Sequence, residues 1–169
     1  PALSKISGEV DDPASPDIKN LVKNMILTMN DAKGIGLAAP QVHEPIRLVI
    51  FQVPHERFKE NDKVSELTVL INPKIVFLSE DKEDGVEACL SLPGMMGIVP
   101  RFTHIRYSGF NLDGEYFERE ARDYHARVVQ HECDHLDGIL YPMRMVNLTS
   151  FGYTEELQKD VKQNSRENS

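Results

Sequence analysis

The sequence predicts an α+β fold in which mixed or antiparallel strands surround one central helix that carries candidate metal ligands. Three observations lead to this prediction. Residues 124–136 have helical periodicity, and the string QHECDH within them places two histidines four positions apart. Short runs rich in β-branched and aromatic residues precede this helix, separated by turn-forming residues. An earlier amphipathic helix is expected to cover the other side of the sheets.

Composition narrows the class of protein. The chain has 169 residues, and we expect one domain over residues 1–150 followed by a polar tail at 151–169. The formal net charge is −8, whereas nucleic-acid-binding proteins usually carry a basic surface, so no nucleic-acid substrate is expected. There is no run of about 18 apolar residues and no signal-peptide pattern. We therefore expect no membrane span. The two cysteines are expected to be free thiols in a reducing compartment.

The first helix is predicted to begin at the Ser15-Pro16 pair, because serine favours the N-cap and proline the first helical position. Residues before Pro16 are broken by glycine and proline and are expected to form an extended lead-in. The helix should run to about Ala32, with an apolar stripe that belongs to the core rather than to a cofactor site. This stripe consists of Ile18, Leu21, Val22, Met25, Ile26 and Met29.

The string GIGLAAPQ, residues 34–41, follows this helix. Its G-x-G-x-x-A pattern occurs in dinucleotide-binding loops, but those require a strand before the pattern and a helix after it. Here a helix precedes the string and Pro40 lies within it. We expect instead that the glycines allow a close approach of the backbone to another group, and that Gln41 points into the same space.

Strands are predicted for the middle of the chain. Asp113-Gly114 is a hairpin signal that joins the last two of them. Residues 55–63 are expected to form a loop and residues 80–85 an acidic turn, while residues 154–169 should be a frayed helix or a disordered tail. The predicted strands are residues 47–53, 67–71, 74–79, 101–110 and 116–121.

The second helix is predicted over residues 124–136, with Asp123 as its N-cap and Gly138 as its stop. Residues four apart lie on the same side of a helix, so the imidazoles of His131 and His135 can reach one ion. Cys133 points about the opposite way and is a poor candidate ligand. Tyr124, Val128 and Glu132 share the histidine side, and Arg127, Gln130, Asp134 and Asp137 form a polar side.

A catalytic metal usually has a third protein ligand and an open position for water. One family of zinc peptidases has a further histidine downstream, but Tyr141 stands at that position. Glu155 or Glu156 could serve as the downstream glutamate of another peptidase family. Cys89 is the upstream candidate; it is predicted in a loop between strands, and a small buried core cysteine fits that position equally well. A structural site would close with four ligands and leave Glu132 without a role.

Three strings together resemble the signature motifs of the peptide deformylase family, and they occur in that family's order: GIGLAAPQ, EACLS at residues 87–91 and QHECDH at residues 130–135. The resemblance covers about residues 1–145. It implies an enzyme that performs metal-dependent hydrolysis of the N-formyl group from the initiator N-formylmethionine of new polypeptides, releasing formate. The implied partners are N-formylmethionyl peptides and nascent chains, in a bacterial cytoplasm or in an organelle.

The resemblance also implies roles for individual residues. Cys89, His131 and His135 would bind one divalent metal, expected to be Fe(II) natively, with Zn(II), Ni(II) or Co(II) as substitutes. Glu132 would be the acid-base group. The side chain of Gln41 and the backbone N–H of Leu90 would receive the developing oxyanion. The implied substrate-binding positions are Ile35, Gly36, Ala88, Tyr124 and Val128.

Other positions concern support and departures from the family pattern. Asp134 is implied to pair with Arg101. Ala88 stands where the family usually has glycine, and Met96 stands where many bacterial members have arginine. The tail lacks the basic excess with which some members dock on the ribosome, so it does not support ribosome contact. No function is assigned to the other histidines, which are expected at the surface or in support of the site: His43, His55, His104 and His125.

Overall fold

The structure of the chain is a computed structural model that describes residues 2–54, 66–157 and 159. Its long helices are α1 (Pro16–Asp31) and α2 (Asp123–Leu136). The strands pair in an antiparallel manner, and the α+β prediction is confirmed. They are β1 (Gly36–Ala38), β2 (Leu48–Phe51), β3 (Thr68–Phe77), β4 (Lys82–Cys89), β5 (Leu92–Phe102), β6 (His104–Phe110), β7 (Tyr116–Arg122) and β8 (Gly152–Tyr153).

The chain divides into two compact units. The first comprises Pro1–Glu83 and Arg101–Leu140, and the second comprises Asp84–Pro100 and Tyr141–Ser169. A five-stranded sheet with the order β1-β2-β3-β6-β7 belongs to the first unit. The three-stranded sheet β4-β5-β8 lies mainly in the second. In the described part of the chain, no helix is long and apolar enough to cross a membrane.

Helix α1 forms as its sequence predicts. The Ser15 hydroxyl accepts the backbone N–H of Ile18 at 3.4 Å, and Pro16 occupies the first turn. The side chains of Val22, Met25 and Met29 are buried against residues of β1 and β2. The apolar stripe therefore belongs to the core, as expected.

Strand β3 is continuous where the sequence indicated two separate runs. The prediction was wrong because a register irregularity between Ile71 and Lys74 accommodates the Asn72-Pro73 pair without ending the strand. Asn72 has φ of 50°, and its side-chain amide pairs with both the N–H and the C=O of Val10 at 2.9 Å. The asparagine thus joins the lead-in segment to the sheet.

The predicted strand over residues 101–110 is divided at Thr103, where β5 ends and β6 begins. The N–H of Thr103 donates to the C=O of Asp81 at 3.0 Å, and its own C=O accepts the N–H of Asp123 at 2.8 Å. These bonds direct the backbone out of the ladder and produce a bend. The hairpin from β6 to β7 is confirmed, with Phe110 opposite Tyr116 and Gly114 at φ 77° in the turn.

One other prediction needs correction, and several short elements were not predicted. Residues 82–85 belong to strand β4 rather than to an acidic turn, since β4 is an edge strand on which exposed charges are tolerated. Strand β8 and the 3-10 turns of the lead-in and the C-terminal region were not predicted. Residues 154–157 and 159 are helical. The predicted loop at residues 55–63 and the remaining tail lie outside the described residues.

Candidate metal centre

Helix α2 ends at a C-terminal motif that only glycine fits without strain. Gly138 has φ of 71°, and its N–H donates to the C=O of His135 at 3.3 Å. The N–H of Ile139 donates to the C=O of Asp134 at 2.9 Å, which completes the hydrogen-bond pattern of a Schellman motif. Gly138 is the predicted stop. The N-cap, in contrast, is Arg122, and Asp123 is the first helical residue at φ 49°, so the N-cap prediction was wrong by one residue.

The lead-in segment holds the end of α2. The N–H of Ser7 donates to the C=O of Leu136 at 2.8 Å. The guanidinium of Arg47 donates to the carboxylate of Asp137 at 2.7 Å, a favourable place for a cation because the C-terminus of a helix carries partial negative charge. Two backbone or side-chain donors from elsewhere in the chain therefore stabilise the last turn of the helix.

One flank of α2 is apolar and packs into the main core. Ala126, Val129, Cys133 and Leu136 are buried there beside residues of the five-stranded sheet. Burial raises the pKa of the Cys133 thiol, and the negative charge of Glu132 raises it further. Cys133 therefore stays a neutral thiol at ordinary pH.

The predicted polar side of α2 is largely buried, since Arg127, Gln130 and Asp134 are all buried. Asp134 forms an ion pair with Arg101 at 2.5 Å, as the family resemblance implied. The side-chain amide of Gln130 exchanges hydrogen bonds with the backbone of Phe102, and Arg127 donates to the C=O of Glu83 at 2.5 Å. These polar residues bind α2 to the neighbouring strands.

The two histidines of α2 lie side by side, as their spacing predicts. Their ring centroids are 5.2 Å apart, and the planes are nearly perpendicular. His135 is fully buried, whereas His131 is partly exposed. This arrangement directs two imidazoles of one helix side to a common position.

Cys89 completes a group that could hold a metal ion. One ligand atom each from Cys89, His131 and His135 lies within 4.8 Å of the others. Cys89 is the last residue of β4 and not part of a loop, and Pro93 and Gly94 lie inside β5. A thiolate with two imidazoles suits Zn(II) or Fe(II).

Glu132 is buried beside the histidines, and strand β1 passes very close to it. A Cβ atom on Gly36 would lie 2.8 Å from Cγ of Glu132 and nearer still to its carboxylate. This finding confirms the expectation that a glycine of residues 34–41 allows a close approach of the backbone. Just beyond β1, the Oε1 atom of Gln41 accepts the N–H of Ala38 at 2.8 Å. Residues 36–42 form strand β1 followed by a 3-10 turn, Ala39–Val42, and not a dinucleotide-binding loop.

The remaining site residues of the sequence analysis fall into two groups. Val128 is buried in the main core cluster, and Ile35 and Tyr124 pack partly buried against it. Ala88 and Leu90 flank Cys89 and are exposed. The structure thus places three of the five in one apolar cluster and two on either side of the cysteine.

Two residues with structural importance were missed. His125 was expected at the surface or in support of the site, but it is buried in the core, where its ring lies 5.9 Å from that of Phe51 and its Nε2 is 3.3 Å from the hydroxyl of Tyr107. Gln130 was recognised only as polar. A polar residue between two apolar positions of a helix that is buried on both flanks was the signal that could have identified Gln130.

The family model described as polypeptide deformylase matches residues 1–151. The chain belongs to the polypeptide deformylase family. Members of this family are enzymes that remove the N-formyl group from nascent peptides, and the chain is therefore an enzyme. The family resemblance recognised from three motifs is confirmed.

Curated relatives of the polypeptide deformylase family are similar along nearly the whole chain. Peptide deformylase 1 of Bordetella pertussis is 47% identical over 170 residues, which cover 98% of this chain and 94% of the relative. Peptide deformylase 1 of Nitrosomonas europaea is also 47% identical, over 93% of this chain and 89% of the relative.

Solved deformylase structures share the fold. The peptide deformylase of Ehrlichia chaffeensis in complex with actinonin matches with a TM-score of 0.80 and 32% identity, and the match covers 98% of this chain and 92% of that one. The Met-Ala-Ser-bound class I type b peptide deformylase of Acinetobacter baumannii matches with a TM-score of 0.78 and 34% identity, over 85% of this chain and 92% of that one.

In this member of the polypeptide deformylase family, Tyr141 packs beside the candidate cysteine ligand. Cys89, Val99 and Tyr141 form one buried cluster, and the ring of Phe151 meets that of Tyr141 edge to face at 6.2 Å. Burial raises the pKa of the Tyr141 phenol to about 12, and the negative charges of Cys89 and Glu87 act in the same direction. The phenol of Tyr141 therefore stays neutral at ordinary pH.

Proposed function

We propose that this chain uses a divalent metal to hydrolyse the N-formyl group of N-formylmethionyl peptides and nascent chains, releasing formate and a free amine. The observation that carries the proposal is the Cys89, His131 and His135 group, whose ligand atoms lie within 4.8 Å of one another, with Glu132 next to one ligand in the sequence. Three protein ligands leave a fourth position for water, which is the arrangement of a catalytic site.

Cys89, His131 and His135 would hold the ion. When bound, the ion would lower the pKa of water and so provide a nucleophile near neutral pH. Glu132 accepts the proton of the attacking water and later delivers it to the leaving amine. The buried position of Glu132 against Gly36 supports this role, because the contact restricts where the carboxylate can lie.

The developing negative charge on the formyl oxygen needs hydrogen-bond donors. Gln41 and the backbone N–H of Leu90 are proposed to supply them. The Oε1 atom of Gln41 accepts the N–H of Ala38, so this side chain is oriented by β1 and its Nε2 is the end that can donate. One such donor contributes about 3–4 kcal/mol to stabilisation of the transition state.

The peptide is proposed to lie along Gly36 and Ala88, with its methionine side chain in the apolar surroundings of Ile35, Tyr124 and Val128. Two of these side chains pack against the main core cluster and the third lies within it, which gives the pocket rigid walls. The similarity to a deformylase solved with bound Met-Ala-Ser supports a substrate that begins with methionine. A formyl group carries only hydrogen beside its carbonyl, so a tight site at that end would exclude larger acyl groups.

The native ion is proposed to be Fe(II), with Zn(II), Ni(II) and Co(II) as possible substitutes. The donor set of one thiolate and two imidazoles suits all of these ions. Metal analysis of protein prepared without oxygen tests this proposal, and loss of activity in air would accompany Fe(II). The bacterial origin of the curated relatives supports a bacterial cytoplasm as the site of action.

The deciding experiment measures formate release from formyl-Met-Ala-Ser by anaerobically purified protein. Unformylated Met-Ala-Ser, scored for peptide cleavage, is the matched control. Formate from the first peptide with no cleavage of the second is the expected result. Cleavage of the second peptide without formate from the first would instead identify a peptidase and contradict the proposal.

A further inference from the structure

The last two residues of β5 bind α2 through two side chains that are one helical turn apart. Nη1 of Arg101 donates to Oδ2 of Asp134 at 2.5 Å. The N–H of Phe102 donates to Oε1 of Gln130 at 3.2 Å, and Nε2 of Gln130 donates to the C=O of Phe102 at 2.9 Å. These contacts among Arg101, Phe102, Gln130 and Asp134 are called the clamp below.

The clamp has the same spacing as the metal ligands. Gln130 directly precedes His131, and Asp134 directly precedes His135. Successive side chains of an α-helix differ by about 100° in direction, so each ligand has the same angular offset from its clamp residue. Strand β5 therefore holds α2 at the residues directly before each histidine. A rotation of the helix would change the direction of both imidazoles.

Small rotations of α2 would matter to a metal. Side-chain atoms lie about 5–6 Å from the axis of a helix, so a rotation of about 10° moves them by about 1 Å. Bonds from a metal to its ligands keep their lengths within about 0.2 Å. A rotation of α2 moves the imidazoles of His131 and His135 together, so it changes their distances to the third candidate ligand, Cys89, which is on strand β4. Without a device that fixes the rotation, the three ligand atoms would not stay at bonding distance from a common ion.

The other flank of α2 cannot fix the rotation as closely. Ala126, Val129, Cys133 and Leu136 pack there by apolar contact, which is favourable but has no preferred direction. The bonds of the clamp are directional, and Arg101, Gln130 and Asp134 are all buried, at 5%, 7% and 7% exposure. A buried ion pair contributes little net stability compared with apolar residues of the same size. The Arg101–Asp134 ion pair therefore contributes mainly by fixing the orientation of α2.

We propose that the clamp is a positioning device for the metal centre, which sets metal affinity and coordination geometry through the rotation of α2. The inference rests on the metal-binding part of the proposed function and does not depend on the substrate. Gln130 and Asp134 do not touch the ion in this account; they act through His131 and His135.

The test compares Gln130→Met with Val129→Ala in the full chain. Methionine has the length of glutamine but none of its hydrogen bonds, whereas Val129→Ala removes apolar packing from the opposite flank and leaves the clamp intact. Three quantities are measured for each variant: stability of the metal-free protein in urea, Co(II) affinity by competition with a chelator, and the visible absorption spectrum of the Co(II) form.

Gln130→Met is expected to weaken Co(II) binding by about 10- to 100-fold and to change the Co(II) spectrum. Val129→Ala is expected to lower stability but to keep the spectrum and the affinity. Unchanged affinity and spectrum in Gln130→Met would overturn the proposal. Affinity losses in both variants that simply follow their losses of stability would overturn it too.

A second variant covers the case in which Gln130→Met does not fold. Arg101→Lys keeps the positive charge but loses the planar fork of the guanidinium, so the clamp loses geometry rather than charge. The Co(II) spectrum should change in this variant as well, and a wild-type spectrum would contradict the proposal. Formate release by the wild-type chain is measured separately. A wild-type chain that binds Co(II) tightly but releases no formate would contradict the proposed function. It would not contradict the proposed role of the clamp.

Discussion

Gly36 and Glu132 lie so close together that any side chain at position 36 would force the Glu132 side chain to move. A Cβ atom there would come within 2.8 Å of Cγ of Glu132, well inside the separation at which carbon atoms attract each other. Glu132 is buried and sits between the two histidines of α2 in the turn of the helix. The strand that carries Gly36 therefore confines the carboxylate that we propose as the acid-base group.

Gly36→Ala should displace Glu132 and slow deformylation by about 100-fold, because a shift of about 1 Å in a catalytic group has an effect of this size. Metal content should stay at the wild-type level, since none of the three candidate ligands changes. Gly8→Ala is the matched control: its Cβ would meet only the C=O of Pro45, at 3.9 Å. Equal rates for the two variants would show that the contact does not position the carboxylate.

Glu132→Gln should keep the metal and lose the reaction. The amide has nearly the same shape as the carboxylate but cannot accept a proton, and general acid-base catalysis contributes about 10²- to 10⁴-fold. Formate release and metal stoichiometry are measured on the same preparation. Near-normal deformylation by this variant would refute the proposed role of Glu132.

Cys89→Ala should empty the metal centre, whereas Cys133→Ala should leave it filled. Cys133 is a buried core residue on the other flank of α2, so its replacement should lower stability by about 0.5–3 kcal/mol without loss of metal. Metal analysis and urea unfolding separate the two effects. Retained metal in Cys89→Ala would direct attention back to Glu155 or Glu156 as the third ligand.

Gly138→Ala should destabilise the protein more than Gly114→Ala does. Both glycines have positive φ, 71° and 77°, and alanine in that conformation costs about 1–2 kcal/mol. At Gly138 the new Cβ would also lie 2.7 Å from the backbone of Ser4, whereas at Gly114 its nearest neighbour is the Cβ of Ala14 at 3.6 Å. The extra cost should be about 1–3 kcal/mol. Urea unfolding measures both, and equal losses would mean that the backbone near Ser4 moves away freely.

Local signals in the sequence predicted the elements that depend on nearby residues. The Ser15-Pro16 start of α1, the turn at Asp113-Gly114 and the end of α2 at Gly138 each require only a few residues in a row. The third ligand could not be derived in this way, and only the combination of three motifs selected Cys89. The roles of Gln41, Leu90 and Glu132 in the reaction remain predictions.

Features that depend on distant parts of the chain were missed. The Asn72-Pro73 pair reads as a break, but a bond to Val10 holds it within a continuous strand. The charges of residues 82–85 read as a turn because the sequence does not reveal that β4 lies at the edge of its sheet. The sequence identifies Gln130 only as a polar residue, and its role is clear once Phe102 is known to lie beside it. In each case the partner is far away in sequence.

The hydrogen bond from Ser7 to Leu136 joins the lead-in segment to the helix that carries two of the candidate metal ligands. The backbone of Ser4 and Lys5 also lies against Gly138, directly after that helix. Proteolytic trimming or a fused tag that disturbs residues 4–8 therefore acts on the last turn of the helix, next to His135. We therefore expect the metal content of a purified sample to fall when its N-terminal segment is trimmed.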